Sequence, residues 1–206
     1  MTSYGRSLKK EKKAKQDGTT QTGEGDAYIY TSIKRDTYFF LAFSVGRWTQ
    51  DTCEVMIEKL SERVKTPSPE NKIEFFSDGN NDYTSVLPKY FAESRTNYGQ
   101  LIKIREGGRV VDKERRVIYG KPSPEDIETT DVENFNGILR ERVGRLVRKT
   151  KCFSKLRPRL ECSIELFQFY WNFMNEFKEG KSPAMTEGLT DHIWTWHEFL
   201  TWHPSV

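Results

Sequence analysis

Cysteine and histidine are scarce in this chain of 206 residues, since each occurs only three times. The cysteines stand at 53, 152 and 162 with no C-x-x-C pair, which argues against a disulfide framework and against a zinc ribbon. The histidines, at 192, 197 and 203, have no convincing metal-ligand spacing, so surface or core positions are the better interpretation. These counts direct attention away from cysteine and histidine chemistry.

Long apolar runs are missing too. The longest uncharged apolar run, residues 38–46, is far shorter than the roughly 20 residues that a membrane helix needs. No basic-then-apolar signal peptide opens the chain. The chain also contains neither the phosphate-binding G-x-x-x-x-G-K-[ST] motif nor the nucleophile motif G-x-S-x-G. We therefore expect a cytoplasmic protein without a membrane partner, and we set aside the nucleotide-hydrolase and serine-hydrolase classes.

Positive charge is plentiful but unevenly placed. The formal net charge is only +3, yet one basic cluster lies between residues 6 and 15 and a second covers residues 140–159. The second cluster contains Arg140, Arg142, Arg145, Arg148, Lys149, Lys151, Lys155, Arg157 and Arg159. Such asymmetry favours a phosphate-binding surface, although a solvated helix face is the alternative.

Hydrophobic periodicity predicts an α/β chain. Two β-branched and aromatic runs, residues 27–33 and 38–45, predict a hairpin. The apolar residues that follow Thr49 recur at helical spacing and predict an amphipathic helix; they are Cys53, Met56, Ile57, Leu60 and Val64. Residues 72–77 predict a buried strand that stops at the turn 78–81. This order suggests a right-handed strand–helix–strand crossover and a parallel strand pair.

The rest of the chain is predicted to combine helices with a strand and a small hairpin. Residues 82–92 predict a helix weakened by a proline, and residues 100–119 predict a strand followed by a small charged hairpin. The pattern Thr130-x-x-Glu133 resembles a capping box and predicts the start of a long basic helix. The aromatic segment 160–177 is expected to pack in the core rather than stack on nucleobases, and a tryptophan-rich terminal helix is expected to dock on the body.

Two acids are candidates for metal chemistry. Asp78 ends a predicted strand, where α/β folds place reactive groups, and Glu133 immediately precedes the basic run. Each has a structural alternative, because Asp78 also suits a turn and Glu133 also suits a capping box. If both carboxylates converge, Mg²⁺ is the metal that they suit, in a two-metal site for phosphoryl transfer.

Five stretches of the sequence together resemble the insertion-sequence-one type transposases. They are GDAYIYTSIKRDTYFFLAFSVGRWTQDT (25–52), SDG (77–79), T-x-V-E-x-x-N (130–136), RKTKCFSK (148–155) and SPAMTEGLTDHIW (182–194). The similarity is colinear and covers nearly the whole chain. These transposases are DDE enzymes with a ribonuclease H-like fold that carry out DNA transposition, a form of DNA recombination.

The resemblance implies a fold and a division of the chain. It implies a ribonuclease H-like mixed sheet flanked by helices, with an aromatic-rich helical C-terminal part. Residues 1–25 would be a basic loop with a remnant of the first strand, residues 26–158 the catalytic core, and residues 159–206 a helical extension packed on the core.

The resemblance also implies a site. Asp78 would be the second acid of the triad and Glu133 the third, and together with the first acid they would bind two Mg²⁺. Double-stranded DNA, as transposon ends and target, would be held by Arg140, Arg145, Arg148, Lys149, Lys151 and Lys155. A homo-oligomer is compatible with this family.

The first acid of the family stands in a D-E-x-W-[ST]-[FY] strand. In this chain, only residues 1–4 correspond to that strand. The remaining part is expected upstream of Met1, and Asp26, which begins the second strand, is not expected to replace it. We therefore expect a transposase catalytic-domain fragment that binds DNA with little or no strand transfer. The alternative is a non-enzymatic DNA-binding protein derived from a transposase.

Overall fold

The structure is a computed structural model that describes residues 1–7, 26–147, 154 and 156–203. It is mixed α/β, as predicted. The described strands are β1 (Thr2–Ser7), β2 (Asp26–Ile33), β3 (Phe40–Gly46), β4 (Ile73–Asp78), β5 (Thr96–Glu106) and β6 (Arg109–Tyr119). The described α-helices are α1 (Gln50–Arg63), α2 (Asn81–Tyr90), α3 (Thr130–Arg142), α4 (Arg157–Phe169), α5 (Pro183–Thr186) and α6 (Trp196–Thr201).

The first three strands form an antiparallel sheet in the order β1-β2-β3. The predicted hairpin is confirmed as β2 and β3, which are joined by a turn in which Tyr38 has a φ of 56°. Strand β1 pairs with β2 along its whole length, from Thr2 opposite Thr31 to Ser7 opposite Asp26. It is therefore longer than the expected remnant at residues 1–4.

The other three strands form a second sheet in the order β4-β5-β6. A parallel strand pair is present as predicted, but it is β4 with β5, and the connecting helix is α2. The predicted strand–helix–strand connection through the helix after Thr49 is present, since α1 connects β3 to β4, but these two strands are hydrogen-bonded in separate ladders. Strands β5 and β6 form the predicted charged hairpin, with Gly107 and Gly108 at positive φ in its turn.

Met1 connects the edges of the two sheets. Its amine donates a hydrogen bond to the carbonyl of Phe76, and its own carbonyl accepts one from the N–H of Asp78 at 3.2 Å. These two bonds follow the pattern of a parallel ladder, so the start of β1 lies beside the end of β4. Joined through Met1, the strands lie in the order β3-β2-β1-β4-β5-β6, so the carboxyl end of β4 is near the middle.

Two hydrophobic cores lie on opposite faces of the strands. The α1-side core contains Tyr30, Ala42, Phe75, Tyr98 and side chains of α1 and α2. The α3-side core contains Ile29, Phe40, Phe43 and side chains of α3 and α4. Residues 29 and 30 enter different cores because successive strand side chains point to opposite faces.

The apolar residues at helical spacing are the ones that the helices bury in these cores. On α1, the predicted residues Cys53, Met56, Ile57 and Leu60 are fully buried, and the helix ends before Val64. On the aromatic segment, Phe167 and Trp171 pack against Phe135 and each other in tilted, edge-on and stacked arrangements, at ring distances of 5.3–6.4 Å. Core packing was the expected role of this segment.

The long basic helix predicted from Thr130 is wrong. Helix α3 ends at Arg142, Val143 adopts extended backbone, residues 144–146 form a short 3-10 turn, and α4 begins only at Arg157. Gly144 has low helix propensity, and the buried side chains of Val143 and Leu146 turn the chain into the core at this point. Arg145 therefore lies in a turn, and Arg148, Lys149, Lys151 and Lys155 lie outside the described residues.

The C-terminal helix is only partly docked. Phe199 of α6 contacts Phe169 at a ring distance of 4.5 Å, whereas Trp196 and Trp202 are 49% and 59% exposed. Among the helices that the structure describes, none has the length and apolarity required to cross a membrane.

Candidate functional site

Asp78 is the last residue of β4, at the carboxyl end of the parallel pair. It is half-buried, and its Oδ1 accepts a hydrogen bond from the N–H of Asn80 at 3.2 Å. Because this bond closes the turn after β4, the turn interpretation of Asp78 has direct support. The turn bond leaves open whether Asp78 also takes part in a site.

Asp78 lies on the sheet face that α3 covers. It pairs with Leu101 in parallel register, and paired residues of neighbouring strands share a face. On β5 the same face carries Gly99 and Lys103, which are two residues before and after Leu101. A Cβ placed on Gly99 would lie 2.6 Å from the side chain of Ile127, just before α3, which identifies this face as the α3 side.

Glu133 lies in the first turn of α3, but the predicted capping box is not formed. The helix N-cap is Thr129 instead of Thr130, and no side-chain cap hydrogen bond is made there. The hydroxyl of Thr129 donates to Glu133 Oε1 at 2.5 Å instead. Glu133 is thus one position beyond the capping-box residue, and its carboxylate is available to a group outside the helix.

Lys103 of β5 binds the Glu133 carboxylate. Its Nζ donates to Glu133 Oε1 at 2.5 Å and also to Oε2. Burial alone would raise the pKa of Glu133, but the hydrogen bonds from Lys103 and Thr129, with the charges of Lys103 and Lys113, hold it below its ordinary value. Lys113 belongs to β6 and stands directly opposite Lys103 in the hairpin register. Two lysines of the hairpin therefore flank the start of α3.

Asp78 and Glu133 both affect the pKa of the Met1 amine. The Met1 amine is buried, and this burial lowers its pKa to about 6. The charges of Asp78 and Glu133 both oppose that shift, while the charge of Arg35 adds to it. Asp78 adjoins Met1 through the bond from its N–H to the Met1 carbonyl, and Glu133 is held by Lys103, which shares a sheet face with Asp78. The two acids that the sequence singled out are thus brought to the same region.

The described residues do not by themselves form a two-metal centre. In the ranges that the structure describes, no group of three or more histidine, cysteine, aspartate or glutamate side chains could hold a metal ion. Both oxygens of Glu133 are also engaged by a lysine. A magnesium site would need a further oxygen ligand and the displacement of Lys103 from Glu133.

Asp26 is distant from this region along the sheet. It pairs with Ser7, whereas the Met1 end of β1 pairs at Thr31. Five strand residues separate the two positions on β2, which corresponds to about 16 Å. The backbone register therefore agrees with the expectation that Asp26 does not replace a missing acid.

The described basic residues continue along α3. Arg140 follows Glu133 by seven residues, two helical turns, and so lies on roughly the same helix face. Arg142 donates to the side-chain oxygen of Asn175 at 3.2 Å, which ties it to the C-terminal part. Arg145 is half-buried in the turn after α3. Of the six predicted DNA-binding residues, the structure describes Arg140 and Arg145.

Sequence reasoning missed Lys103, Lys113 and Arg35. Lys103 lies between Ile102 and Ile104 in a strand and shares the inward parity of Leu101. A charged residue at such a position is unusual unless it is paired, and that was the available signal. Arg35 donates to the carbonyls of Asp126 and Glu128, at 2.7 and 3.1 Å, and no local pattern indicates these long-range contacts.

Comparisons with known proteins add nothing to this description: no family model, no curated protein and no solved structure matches the chain. The resemblance to insertion-sequence-one type transposases stays a prediction from the sequence.

Proposed function

We propose that this chain is a DNA-binding domain of the DDE transposase type that binds double-stranded DNA without cutting it. The observation that carries the proposal is that Asp78 and the Lys103–Glu133 pair lie on one face of the sheet, beside the β5–β6 hairpin. The basic residues of this region would contact phosphates, and the acids would be the remaining part of the family's catalytic site.

The strand arrangement supports a ribonuclease H-like fold as part of this proposal. Three antiparallel strands precede the first helix, as that fold requires, and a parallel pair follows. One acid lies at the end of β4 and the other on a helix that packs against the first sheet. These positions agree with the second and third acids that the resemblance implies.

Binding without cleavage is proposed because of how Glu133 is bound. Its carboxylate accepts from Lys103 and Thr129, and its lowered pKa keeps it ionised and paired with the lysine at neutral pH. A carboxylate held by an ammonium group is a poor ligand for Mg²⁺ until that group moves away. When Mg²⁺ is bound in a DDE enzyme it activates the attacking hydroxyl, and the described residues do not offer the ligand set for that role.

DNA binding is tested by its salt dependence. If about six phosphates are contacted, log K should fall with log salt at a slope near −5. Lys113→Ala combined with Arg145→Ala should flatten this slope by about 1.8, because each lost phosphate contact removes about 0.9. Fluorescence anisotropy with a labelled duplex between about 50 and 200 mM salt measures both slopes.

The matched control is Lys89→Ala combined with Arg95→Ala, which removes the same charge elsewhere. Lys89 lies on α2, on the other side of the sheet, and Arg95 precedes the opposite end of β5. The control should leave the slope unchanged. Equal slopes for both double variants would mean that the hairpin and the α3 turn do not face DNA, and the proposal would fail.

Cleavage is tested separately with supercoiled plasmid and Mg²⁺. We expect no nicking by the full chain, and Asp78→Ala should make no difference to that result. Nicking that requires Mg²⁺ and disappears in Asp78→Ala would refute the proposal of binding without cleavage, and would support an active transposase or nuclease.

A further inference from the structure

The β5–β6 hairpin extends beyond the rest of the second sheet. Strand β4 pairs with β5 only along Thr96 to Leu101, and five further pairs of β5 and β6 residues follow, ending with Glu106 opposite Arg109. At about 3.4 Å per residue, these pairs project about 17 Å past the end of β4. Every residue from 104 to 117 is exposed. This part of the hairpin is therefore a two-stranded ribbon that reaches into solvent.

One face of the ribbon carries only positive charge. Side chains alternate between the two faces of a strand, so the face of Leu101 can be followed outward along β5 and across to β6. The charged residues on this face are Lys103, Arg105, Lys113 and Arg115. Lys103 binds Glu133 and Arg115 binds Glu128, so the face turns toward the start of α3. We call it the cation face.

The opposite face of the ribbon has charges of both signs. It contains Ile102, whose side chain would lie 3.2 Å from a Cβ on Gly79, so this face turns toward the start of α2. Its charged residues, three acids and two bases, are Glu106, Arg109, Asp112, Glu114 and Arg116. Solubility requires net charge but does not require that the charge be sorted to one face. The sorting therefore indicates a binding surface.

The outer part of the cation face has the positive charge that is not neutralised by neighbours. Nearer the sheet, Lys103 and Arg115 are paired with acids of α3 and of the segment before it. Arg105 and Lys113 make no salt bridge to any residue that the structure describes. Lys113 also stands directly opposite Lys103, where like charges repel each other. An anion that bound here would relieve this repulsion.

The length of the cation face suits a nucleic-acid backbone. From Leu101 to Arg105 the face runs about 14 Å along the strand. A DNA duplex carries one phosphate charge per about 1.7 Å of its axis, so a stretch of this length carries about eight phosphate charges. Each basic residue of the face can therefore meet a phosphate. No acidic residue of the ribbon lies on this face to repel the duplex.

We propose that the cation face of the β5–β6 hairpin lies against the backbone of the DNA duplex and that the opposite face turns away from it. This inference rests on the proposed DNA binding and specifies the element that makes the contact. Arg105 and Lys113 bind phosphates directly, because their charges are not neutralised by neighbouring acids. Phosphate contacts position the duplex on the ribbon, beside the start of α3, and do not read its sequence.

Two double variants of the full chain test which face binds. Arg105→Gln with Lys113→Gln removes two positive charges from the cation face, and Arg109→Gln with Arg116→Gln removes two from the opposite face of the same ribbon. All four residues are exposed, so neither variant disturbs a core. In anisotropy titrations of a labelled duplex, the first variant should flatten the slope of log K against log salt by about 1.8, and the second by less than about 0.5.

Chemical modification of arginine by phenylglyoxal gives a measurement on the unaltered chain. Arg105 and Arg109 lie near the tip of the ribbon on opposite faces, and neither makes a salt bridge within the described part of the chain. Saturating duplex should slow the modification of Arg105 at least about fivefold and that of Arg109 less than about twofold, because only the phosphate-bound guanidinium is covered.

The two proposals fail in different ways. The inference about the cation face is overturned if the unaltered chain binds duplex with a steep salt dependence but the two double variants have equal slopes. Equal protection of Arg105 and Arg109 would overturn it as well. If the unaltered chain shows no salt-dependent binding of duplex, the proposed function itself is refuted, and this inference with it.

Discussion

The ion pair between Lys103 and Glu133 decides how the candidate site behaves, and a double-mutant cycle measures it. The perturbations are Lys103→Met and Glu133→Gln, which remove the charges and keep most of the side-chain volume. Each single variant leaves one partly buried charge without its partner. The free energy of unfolding that it loses should therefore exceed the net contribution of the ion pair.

The expected coupling free energy is about 1 kcal/mol. A hydrogen bond to a charged group contributes about 1.5–3 kcal/mol when it is protected from water. The side chains of Lys103 and Glu133 are 23% and 39% exposed, so solvent screening moves the value toward the range of surface ion pairs, about 0–1 kcal/mol. The exposed pair of Arg157 and Glu161 on α4 is the control, with an expected coupling of about 0.3–0.5 kcal/mol.

The coupling should also depend on pH in a defined direction. The pKa of Glu133 in the folded chain lies below its ordinary value of 4.5. The stabilisation is therefore fully present above about pH 4.5 and is lost as the pH falls through the lowered pKa. Urea unfolding followed by tryptophan fluorescence at pH 7 and at pH 3 measures this difference. A coupling no larger than that of the control pair at pH 7, or one that grows stronger as the pH falls, would refute the reasoning.

Two further predictions concern stability. Phe135→Ala should cost about 3–5 kcal/mol in urea unfolding, because Phe135 is fully buried against Phe40 and Trp171, and the exposed neighbour Asn134→Ala should change stability by less than about 0.5 kcal/mol. Gly120→Ala should destabilise the chain by more than about 1 kcal/mol, because the φ of Gly120 is 75° and a Cβ would lie 2.6 Å from the Thr96 carbonyl oxygen. Gly137 lies in α3 with open space around it, so Gly137→Ala should stabilise the chain by about 0.4–1 kcal/mol. A loss for Gly137→Ala equal to that for Gly120→Ala would show that helix packing, not backbone conformation, controls both positions.

Most strands and helices could be predicted because their signals are local. The β-branched and aromatic run of β2 and the helical spacing of Cys53, Met56, Ile57 and Leu60 on α1 depend only on neighbouring residues, and the structure confirms both elements. The turn at Asp78 is equally local, since its hydrogen bond reaches only to Asn80. Such features survive in almost any tertiary context.

The basic helix was predicted wrongly because a run of charge carries little information about helix ends. Val143 and Leu146 turn into the α3-side core, and this burial, together with Gly144, ends α3 at Arg142. The capping box was wrong for a related reason. Lys103, thirty residues earlier in the chain, holds the Glu133 carboxylate that a local cap would have used.

The sequence by itself determined most of the strands and helices, the two acids worth attention and the uneven placement of positive charge, because composition and short-range periodicity specify these. Only the tertiary structure decided that Asp78 and the Lys103–Glu133 pair share one face of the sheet, and that Met1 joins the edges of the two sheets. These features depend on contacts between residues far apart in the chain, and such contacts arise from packing two sheets and their helices together.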